Sequence, residues 1–570
     1  MSATTEDAAR RDPFQDFGEL PERVNVAAEL RARAAEDPAR AAVCVPDGPG
    51  RWHATSYGEL EARSDHIASG LAGQGLERGD RACVFVRPGA ELIAITYALF
   101  KLGAVPVLID PGMGRRNLLA CVRRMAPRAF LGIPAAQVAR LLFAGSFRSV
   151  EILVTVGRRL GWGGSTLAEL ERRAASAPGP FPIADTPADE EAAVLFTSGS
   201  TGPPKGVVYT HGMFDAQRRA LRAMYDLRPG EVDAACFPLF ALFDTALGLT
   251  SVFPALDPSR PGRCRPERIV AAIEENGATL TFGSPAIWRR VAPWCLERGR
   301  KLADLRRVLV AGAPVPPALV AQLHGVLVGD ADVFTPYGAT ESLPVASIAG
   351  REIAGPLRPL VEGGAGTCVG RSAPGIDLRL IRITDEPIDV WAEGLEVPPG
   401  EPGEICVRGP VVTQEYKFEP DHTAAAKVAP ADGRGPRWHR IGDVGTLDAE
   451  GRLWFCGRKS HRIQAARGLV LPVPLENVYN TAPGVFRTAL VGVGPPGDQR
   501  PVLVVQPEGR LPRGGAARRR GREILDHGAA RGITGGIEDV LFHPSFPVDV
   551  RHNAKIHRGE LARWAERRLA

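Results

Sequence analysis

The residues in this chain with the clearest chemical potential lie between two apolar, strand-like runs, Ala192–Phe196 and Val207–Thr210. They are Thr197, Ser198, Gly199, Ser200, Thr201 and Gly202, followed by Pro203, Pro204, Lys205 and Gly206. Four hydroxyls and two glycines in succession make a poor core and a good oxyanion cradle. Glycine lets backbone N–H groups close on a phosphate, and the hydroxyls add further donors. The prolines stiffen the exit, and Lys205, one of seven lysines in 570 residues, adds a point charge. The order is not that of a Walker A loop, because Gly206 and Val207 follow the lysine where Ser or Thr would be needed. A flexible Gly/Ser linker would share the composition, but the two apolar runs that clamp the loop favour a phosphate cradle.

Together with four later stretches, this loop resembles the adenylate-forming superfamily of acyl-CoA synthetases, adenylation domains and luciferases. The likeness covers nearly the whole chain, with the motifs in the family's order. It implies that Thr197–Lys205 closes over the β- and γ-phosphates of ATP. Tyr337-Gly338-Ala339-Thr340-Glu341 is similar to the family's Y-G-x-T-E segment. By that resemblance Tyr337 stacks on adenine, Thr340 meets the α-phosphate, and Glu341, with Thr197, binds Mg²⁺. A hard cation that bridges phosphates suits a carboxylate oxygen. Gly312-Ala313-Pro314, after a strand that ends near Ala311, is similar to the small-residue segment against which adenine lies. Ile441-Gly442-Asp443 matches the segment whose aspartate takes the ribose hydroxyls, and Arg458, after Gly457, stands near the ribose and opens the hinge segment. Ser460 occupies the pivot position, where the family usually has Asp or Lys. Lys555, within Arg551–Arg558, resembles the terminal lysine that contacts the carboxylate and the α-phosphate. A carboxylate anion attacks a polyphosphate anion only with cations between them.

These motifs imply carboxylate + ATP → acyl-AMP + PPi, with ATP and Mg²⁺ as cofactors. The acceptor of the acyl group is argued from departures. Many CoA ligases of the family carry a histidine in a P-L-F-H segment, and this chain has Pro238-Leu239-Phe240-Ala241-Leu242-Phe243 there. Phe240, Ala241, Leu242 and Phe243 therefore form an apolar substrate pocket, although a packed core strand would have the same composition. The stretches around Phe240–Pro254, Gly457–Arg462 and Phe546–Asn553 resemble one branch, the β-lactone synthetases of long-chain olefin biosynthesis. For that branch the substrate is a 2-alkyl-3-hydroxy fatty acid whose own 3-hydroxyl displaces AMP. His211 and His461 are conceivable bases for that hydroxyl. The rival readings are an acyl-CoA or acyl-carrier-protein ligase, and a non-catalytic acyl-binding scaffold. The resemblance also suggests a complex with a pathway reductase and an α/β-hydrolase-type β-lactone decarboxylase.

The elements that must position these residues read as an α/β chain. Short apolar runs at Ala41–Val45, Arg81–Val86 and Ala104–Ile109 alternate with helical periodicity over Val24–Ala35, Ser56–Leu71 and Glu91–Leu102, which predicts a doubly wound parallel sheet. The rhythm returns at Val232–Phe237, Thr279–Phe282 and Arg307–Ala311. After about residue 365, strand candidates divided by Gly, Pro and Asp turns predict a small β-rich subdomain to 457. Residues 1–20 read as a flexible arm, 21–457 as the large adenylation domain, and 458–570 as a small mobile α+β domain. No internal repeat is visible. Arg510–Arg522 reads as a solvated surface segment. With 44% hydrophobic and 24% charged residues and a net charge of +5, the chain can bury a large core. The interspersed charges do not make a nucleic-acid footprint. Nine cysteines without a C-x-x-C pair predict reduced thiols rather than disulfides or zinc. No leader segment or membrane span is expected, so the cytoplasm is the expected location.

Overall fold

The computed structural model describes residues 17–175, 179–196, 204–532, 536–548 and 556–569. The α/β architecture expected from the alternating pattern is what it contains, and helix starts and stops follow local chemistry. Helix Tyr57–Ala72 begins at a reciprocal capping box between Ser56 and Glu59 and ends at Gly73. Helix Ala90–Leu102 is apolar almost all round and correspondingly buried, as a helix between two layers must be. Its Lys101 is 0% exposed and is tolerated because Asp65 (2.6 Å) and Glu61 (2.8 Å) neutralise it.

Two seven-stranded sheets form the large part of the molecule. In the first, the spatial order is Ser165–Thr166, Ile152–Thr155, Ala129–Gly132, Arg81–Phe85, Val105–Leu108, Glu191–Phe196, Gly206–Thr210. In the second it is Asp332–Phe334, Arg307–Val310, Leu280–Gly283, Val232–Ala235, Thr250–Val252, Ala41–Pro46, Trp52–Ser56. Both are parallel except for the last strand, which turns back as an antiparallel edge. In both, the first strand of the series pairs with the second on one side and the third on the other, so the strand order reverses between first and second. The two sheets thus share one spatial strand order, although the closing hairpin follows the series in the first sheet and precedes it in the second, a structural repeat that the sequence does not display. The main core cluster lies on one face of the first sheet, and a second cluster, with Cys83, Phe130 and Phe196, lies on the other.

The antiparallel sheet starts earlier than residue 365, at Tyr337–Ala339 and Ser342–Ser347, and continues through Thr367–Ser372, Leu453–Arg458, Trp438–Leu447, Gly403–Arg408 and Asp377–Ile381. Phe17 and Leu20, at the end of the predicted arm, pack on its core. Beyond the turn Lys459–His461, strands Val485–Val493, Arg500–Pro507 and Asp539–Phe542 form a separate sheet against helices Gly514–Ala529 and Arg558–Leu569. The Arg-rich segment leads into the first of these helices and forms its opening turns, with Arg518, Arg519 and Arg522 exposed. All nine cysteines are buried and unpaired. Among the described residues no helix is long and apolar enough to cross a membrane.

Gly370 shows how tightly the antiparallel sheet is drawn together. It sits at a register shift with φ +87°, and a Cβ there would stand 1.9 Å from the Ser347 carbonyl oxygen. Gly370→Ala is expected to cost about 2–4 kcal/mol through backbone strain and displaced pairing, measured as a fall of several degrees in the apparent unfolding midpoint by calorimetry.

Candidate active site

The carboxyl ends of both parallel sheets open on one cavity of about 1,670 Å³. This is the place where open α/β sheets bind ligands, because reversal of the strand order parts the loops there. Residues at or just past strand ends supply the walls: Phe85 and Leu108 from the first sheet, and Phe237, Phe253, Gly283 and Gly312 from the second. The antiparallel sheet adds Gly338, Thr340, Glu341, Gly442 and Arg458.

At the polar end, Glu341 is gripped from below. The Tyr416 hydroxyl donates to its Oε1 at 2.7 Å, and the Tyr416 ring lies 5.0 Å beneath the Lys205 ammonium. Burial lowers the Lys205 pKa, and the carboxylates of Glu341 and Glu419 oppose that shift. Burial raises the Tyr416 hydroxyl far above its ordinary value, and Glu341 adds to the shift, so it stays a donor. Tyr209 donates its hydroxyl to the Thr340 carbonyl. Tyr337 donates to Asp443 Oδ2 at 2.6 Å, and Asp443 Oδ1 lies 3.0 Å from Arg458 Nε. Asp443 is opposite Arg458 in strand register, so one backbone ladder sets both. Gly338 allows the Tyr337 strand to close on its neighbour, since a Cβ there would lie 2.6 Å from the Ser342 carbonyl oxygen.

Of the residues singled out in the sequence, Lys205, Gly312, Gly338, Ala339, Thr340, Glu341 and Arg458 line the cavity, and Tyr337 and Asp443 adjoin it through the bonds above. Ala313 and Pro314 are not among its lining residues. Thr197, Ser198, Gly199, Ser200, Thr201, Gly202 and Lys555 lie outside the described residues. The stem of the loop is described: Phe196 pairs with Gly206 across an antiparallel ladder, and Arg124 ties the Pro204 carbonyl (3.3 Å) to Glu419. Phe240, Leu242 and Phe243 line the apolar part, whereas Ala241 is fully buried in the core at the start of helix Ala241–Leu247. The run is therefore a helix start and not a strand.

Neither histidine considered as a base faces the cavity. His211 packs edge-on to Phe100 at the foot of helix His211–Tyr225, and burial lowers its pKa to about 4. His461 is held neutral by burial and by Arg558 and Arg458, at about 3. The histidine that does line the cavity is His422, whose Nδ1 lies 2.9 Å from Glu419 Oε2.

Sequence reasoning missed a set of buried ions that support the polar end. Glu404, 1% exposed, meets Arg440 at 2.7 Å and Lys459 at 3.0 Å. Arg440 and Lys459 also both donate to the Thr384 carbonyl, at 2.6 and 2.8 Å. Lys427, opposite His439 in register, donates to the carbonyl and hydroxyl of Thr413, whose own N–H donates to the Glu341 carbonyl at 2.9 Å. Burial brings the Lys427 pKa down to about 7, against opposition from the Glu341 charge. Tyr416 lies 75 residues after Glu341, with no spacing rule to connect them. The scarcity of lysine was the one sequence signal that could have pointed to Lys427 and Lys459.

The polar end suits ATP with Mg²⁺. Among the described residues no group of three His, Cys, Asp or Glu side chains could hold a metal. A lone carboxylate such as Glu341, one oxygen engaged by Tyr416, matches the way Mg²⁺ is held, by one or two carboxylates with phosphates and water completing the octahedron. Lys205 beside it supplies positive charge for a polyphosphate. The residues fit the group.

Comparison with known proteins agrees with this geometry. The profile of the family described as AMP-binding enzyme matches residues 30–417. A protein of Stenotrophomonas maltophilia named olefin beta-lactone synthetase is 49% identical over 555 residues, which is 96% of this chain and 98% of that protein. A protein of the same name from Xanthomonas campestris pv. campestris is 48% identical over 96% of this chain and 99% of its own. Among solved structures, ATP-bound MatB from Rhodopseudomonas palustris superposes with a TM-score of 0.76 at 22% identity, covering 95% of this chain and 99% of that one.

Two outcomes are expected of this geometry. Tyr416→Phe removes the donor to Glu341 and keeps the ring under Lys205. Losing a hydrogen bond to a charged group should lower pyrophosphate release from ATP about tenfold to a hundredfold, measured by coupled assay. Lys427 titrates near pH 7 when folded and near 10.4 when unfolded, so unfolding takes up a proton between those values and stability rises with pH across that window. Lys427→Met removes this rise. Its stability relative to the natural protein should be highest near pH 6 and decline towards pH 10, measured by chemical denaturation at stepped pH.

Proposed function

The chain belongs to the AMP-binding enzyme family and is an ATP-dependent adenylate-forming ligase; from that premise we propose that it is a β-lactone synthetase acting on a 2-alkyl-3-hydroxy fatty acid. The observation that carries the reading is the single cavity in which Lys205, Thr340 and Glu341 stand at one end of a large apolar space. An acid with hydrocarbon chains in that space presents its carboxylate to the charged end. The kinship supports the choice of acceptor, since relatives 48–49% identical over nearly their full length bear the lactone synthetase name.

In the first step a carboxylate oxygen bonds to the α-phosphorus of ATP, the α–β bridging P–O bond breaks, and pyrophosphate leaves. In the second, the 3-hydroxyl oxygen bonds to the acyl carbon and gives up its proton, the bond from acyl carbon to AMP oxygen breaks, and a four-membered ring closes. The acid loses one water overall, at the cost of ATP hydrolysed to AMP and pyrophosphate. With the hydroxyl two carbons from the carboxyl, attack is unimolecular, and AMP is a good leaving group.

The residue roles belong to the same proposal. Thr197–Gly202 and Lys205 cradle the β- and γ-phosphates, and Lys555 lies between carboxylate and α-phosphate. Tyr337, Gly338, Ala339 and Gly312 border adenine, and Asp443 and Arg458 serve the ribose. Glu341, with Thr197, would hold Mg²⁺, which screens phosphate charge as the new bond forms. Tyr416 orients the Glu341 carboxylate, and Arg458 holds Asp443 in place. Rotation about Arg458–Ser460 separates the two half-reactions. On this reading the enzyme works in the cytoplasm beside a reductase and an α/β-hydrolase-type β-lactone decarboxylase that handle its apolar substrate and product.

The test is a mass spectrum of products from ATP, Mg²⁺ and a 2-alkyl-3-hydroxy acid, with and without CoA. Loss of water from the acid without CoA is expected, and a strict need for CoA would overturn the lactone reading. Lys555→Ala and Glu341→Gln are each expected to reduce pyrophosphate release at least a hundredfold, about 2.7 kcal/mol of transition-state stabilisation.

A further inference from the structure

Successive side chains of a strand point to opposite faces of its sheet. A cavity confined to one face of the first sheet would therefore touch every second residue. This cavity touches consecutive ones at three neighbouring strand ends: Val84 with Phe85, Leu108 with Ile109, and Leu195 with Phe196. In each pair the first residue belongs to the cluster on the inner face and the second to the cluster on the outer face. The cavity therefore wraps around the carboxyl ends of strands Arg81–Phe85, Val105–Leu108 and Glu191–Phe196 and continues on both sides of the sheet.

The inner arm runs between the two parallel sheets, past Thr96, Phe100, Phe214, Leu242 and Phe243. The outer arm runs beneath helices Arg115–Met125 and Pro134–Leu142, past Leu118, Phe130, Ala136, Ala139 and Phe147. Its walls include side chains rooted in the core: Phe130 is 1% exposed and Phe147 and Phe196 are each 7% exposed. Phe130 and Phe147 meet edge to face at 5.1 Å, which gives the arm a firm wall. The total of about 1,670 Å³ exceeds the roughly 300–1,000 Å³ of an ordinary ligand pocket, which leaves room for more than a nucleotide.

We propose that the cavity is forked by the strand ends of the first sheet, and that each arm takes one of the two hydrocarbon chains of a 2-alkyl-3-hydroxy acid. This rests on the substrate class proposed above. Because the chains leave adjacent carbons, C2 and C3, they must diverge within one bond of the reacting carboxyl, and the fork lies where the strand ends face the polar end of the site. Each methylene buried in an arm is worth about fourfold in binding, so a chain without an arm would forfeit most of its affinity. Ala136 and Ala139, on one helix, set the width of the outer arm, and Leu242 and Phe243 that of the inner.

The experiment reads pyrophosphate release, which does not depend on lactone closure. With the full-length enzyme, kcat/KM is measured for 2-decyl-3-hydroxy and unbranched 3-hydroxy acids of equal main-chain length. Ala139→Phe and, separately, Ala136→Leu should lower the ratio of branched to unbranched kcat/KM at least tenfold, chiefly through KM. An unchanged ratio in both variants overturns the fork. In parallel, the natural enzyme is irradiated with a 2-alkyl-3-hydroxy acid bearing a diazirine at one chain end, then at the other. Labelling of peptides spanning 118–147 and 92–100 is expected, and labelling of one region alone overturns the proposal whatever the variants do. If the fork holds while no lactone forms, the second half-reaction is at fault and the substrate class stands.

Discussion

A carboxylate removed from water must be paired, and the active site is assembled around one that is. Glu404 lies on Gly403–Arg408, the strand next to the edge of the antiparallel sheet, with Arg440 and Lys459 on its two oxygens. Arg440 is on the strand that carries Asp443, and Lys459 directly follows Arg458. The triad therefore fixes the two ribose-end residues relative to each other and secures the turn that leads into the C-terminal sheet. Taking away one member would leave a buried charge, an imbalance of about 3–5 kcal/mol, so the arrangement is held or lost as a unit. The neighbouring chain from Lys427 through Thr413 to the Glu341 backbone, and the Tyr416 hydroxyl on its carboxylate, extend the same support to the phosphate end.

How much of this could be read from the sequence follows from the range of the forces involved. Short apolar runs announced the strands of both parallel sheets because burial on two faces demands continuous hydrophobicity. The helical periodicity from Ser56 to Leu71 marked helix Tyr57–Ala72 to within a residue, because its capping box and its stop at Gly73 are local. Glu341, Thr340, Lys205 and Arg458 came from motifs and do line one cavity. What escaped were contacts between distant stretches: Tyr416 with Glu341, Lys427 with Thr413, and Lys459 with Glu404. Such pairs depend on sheet register, and register follows from the fold as a whole. Ala241 illustrates the opposite error. Its place in a motif suggested a pocket wall, but helix geometry turned it into the core while Phe240, Leu242 and Phe243 remained at the surface of the cavity.

The repeated strand order explains why one cavity can serve two dissimilar groups. Each parallel sheet has its own reversal point, and the crevices face each other across the same space. The crevice of the second sheet, capped by the antiparallel sheet, acquires the polar residues. That of the first sheet is lined mostly by apolar side chains such as Phe85, Leu108 and Phe196, and its cation, Lys205, stands at the edge beside strand Gly206–Thr210. The division arises from which loops carry charge, with the backbone plan unchanged between halves.

The nine cysteines have a consequence beyond packing. Burial raises every one of their pKa values, and Cys236, which borders the cavity, lies well above the ordinary thiol range with Asp233 adding to the effect. Thiolates, not thiols, attack electrophiles. A strained lactone is an acylating agent, and an enzyme that releases one next to an ionised sulfur would be poisoned by its own turnover. With all nine thiols buried and held protonated, this protein offers no such sulfur.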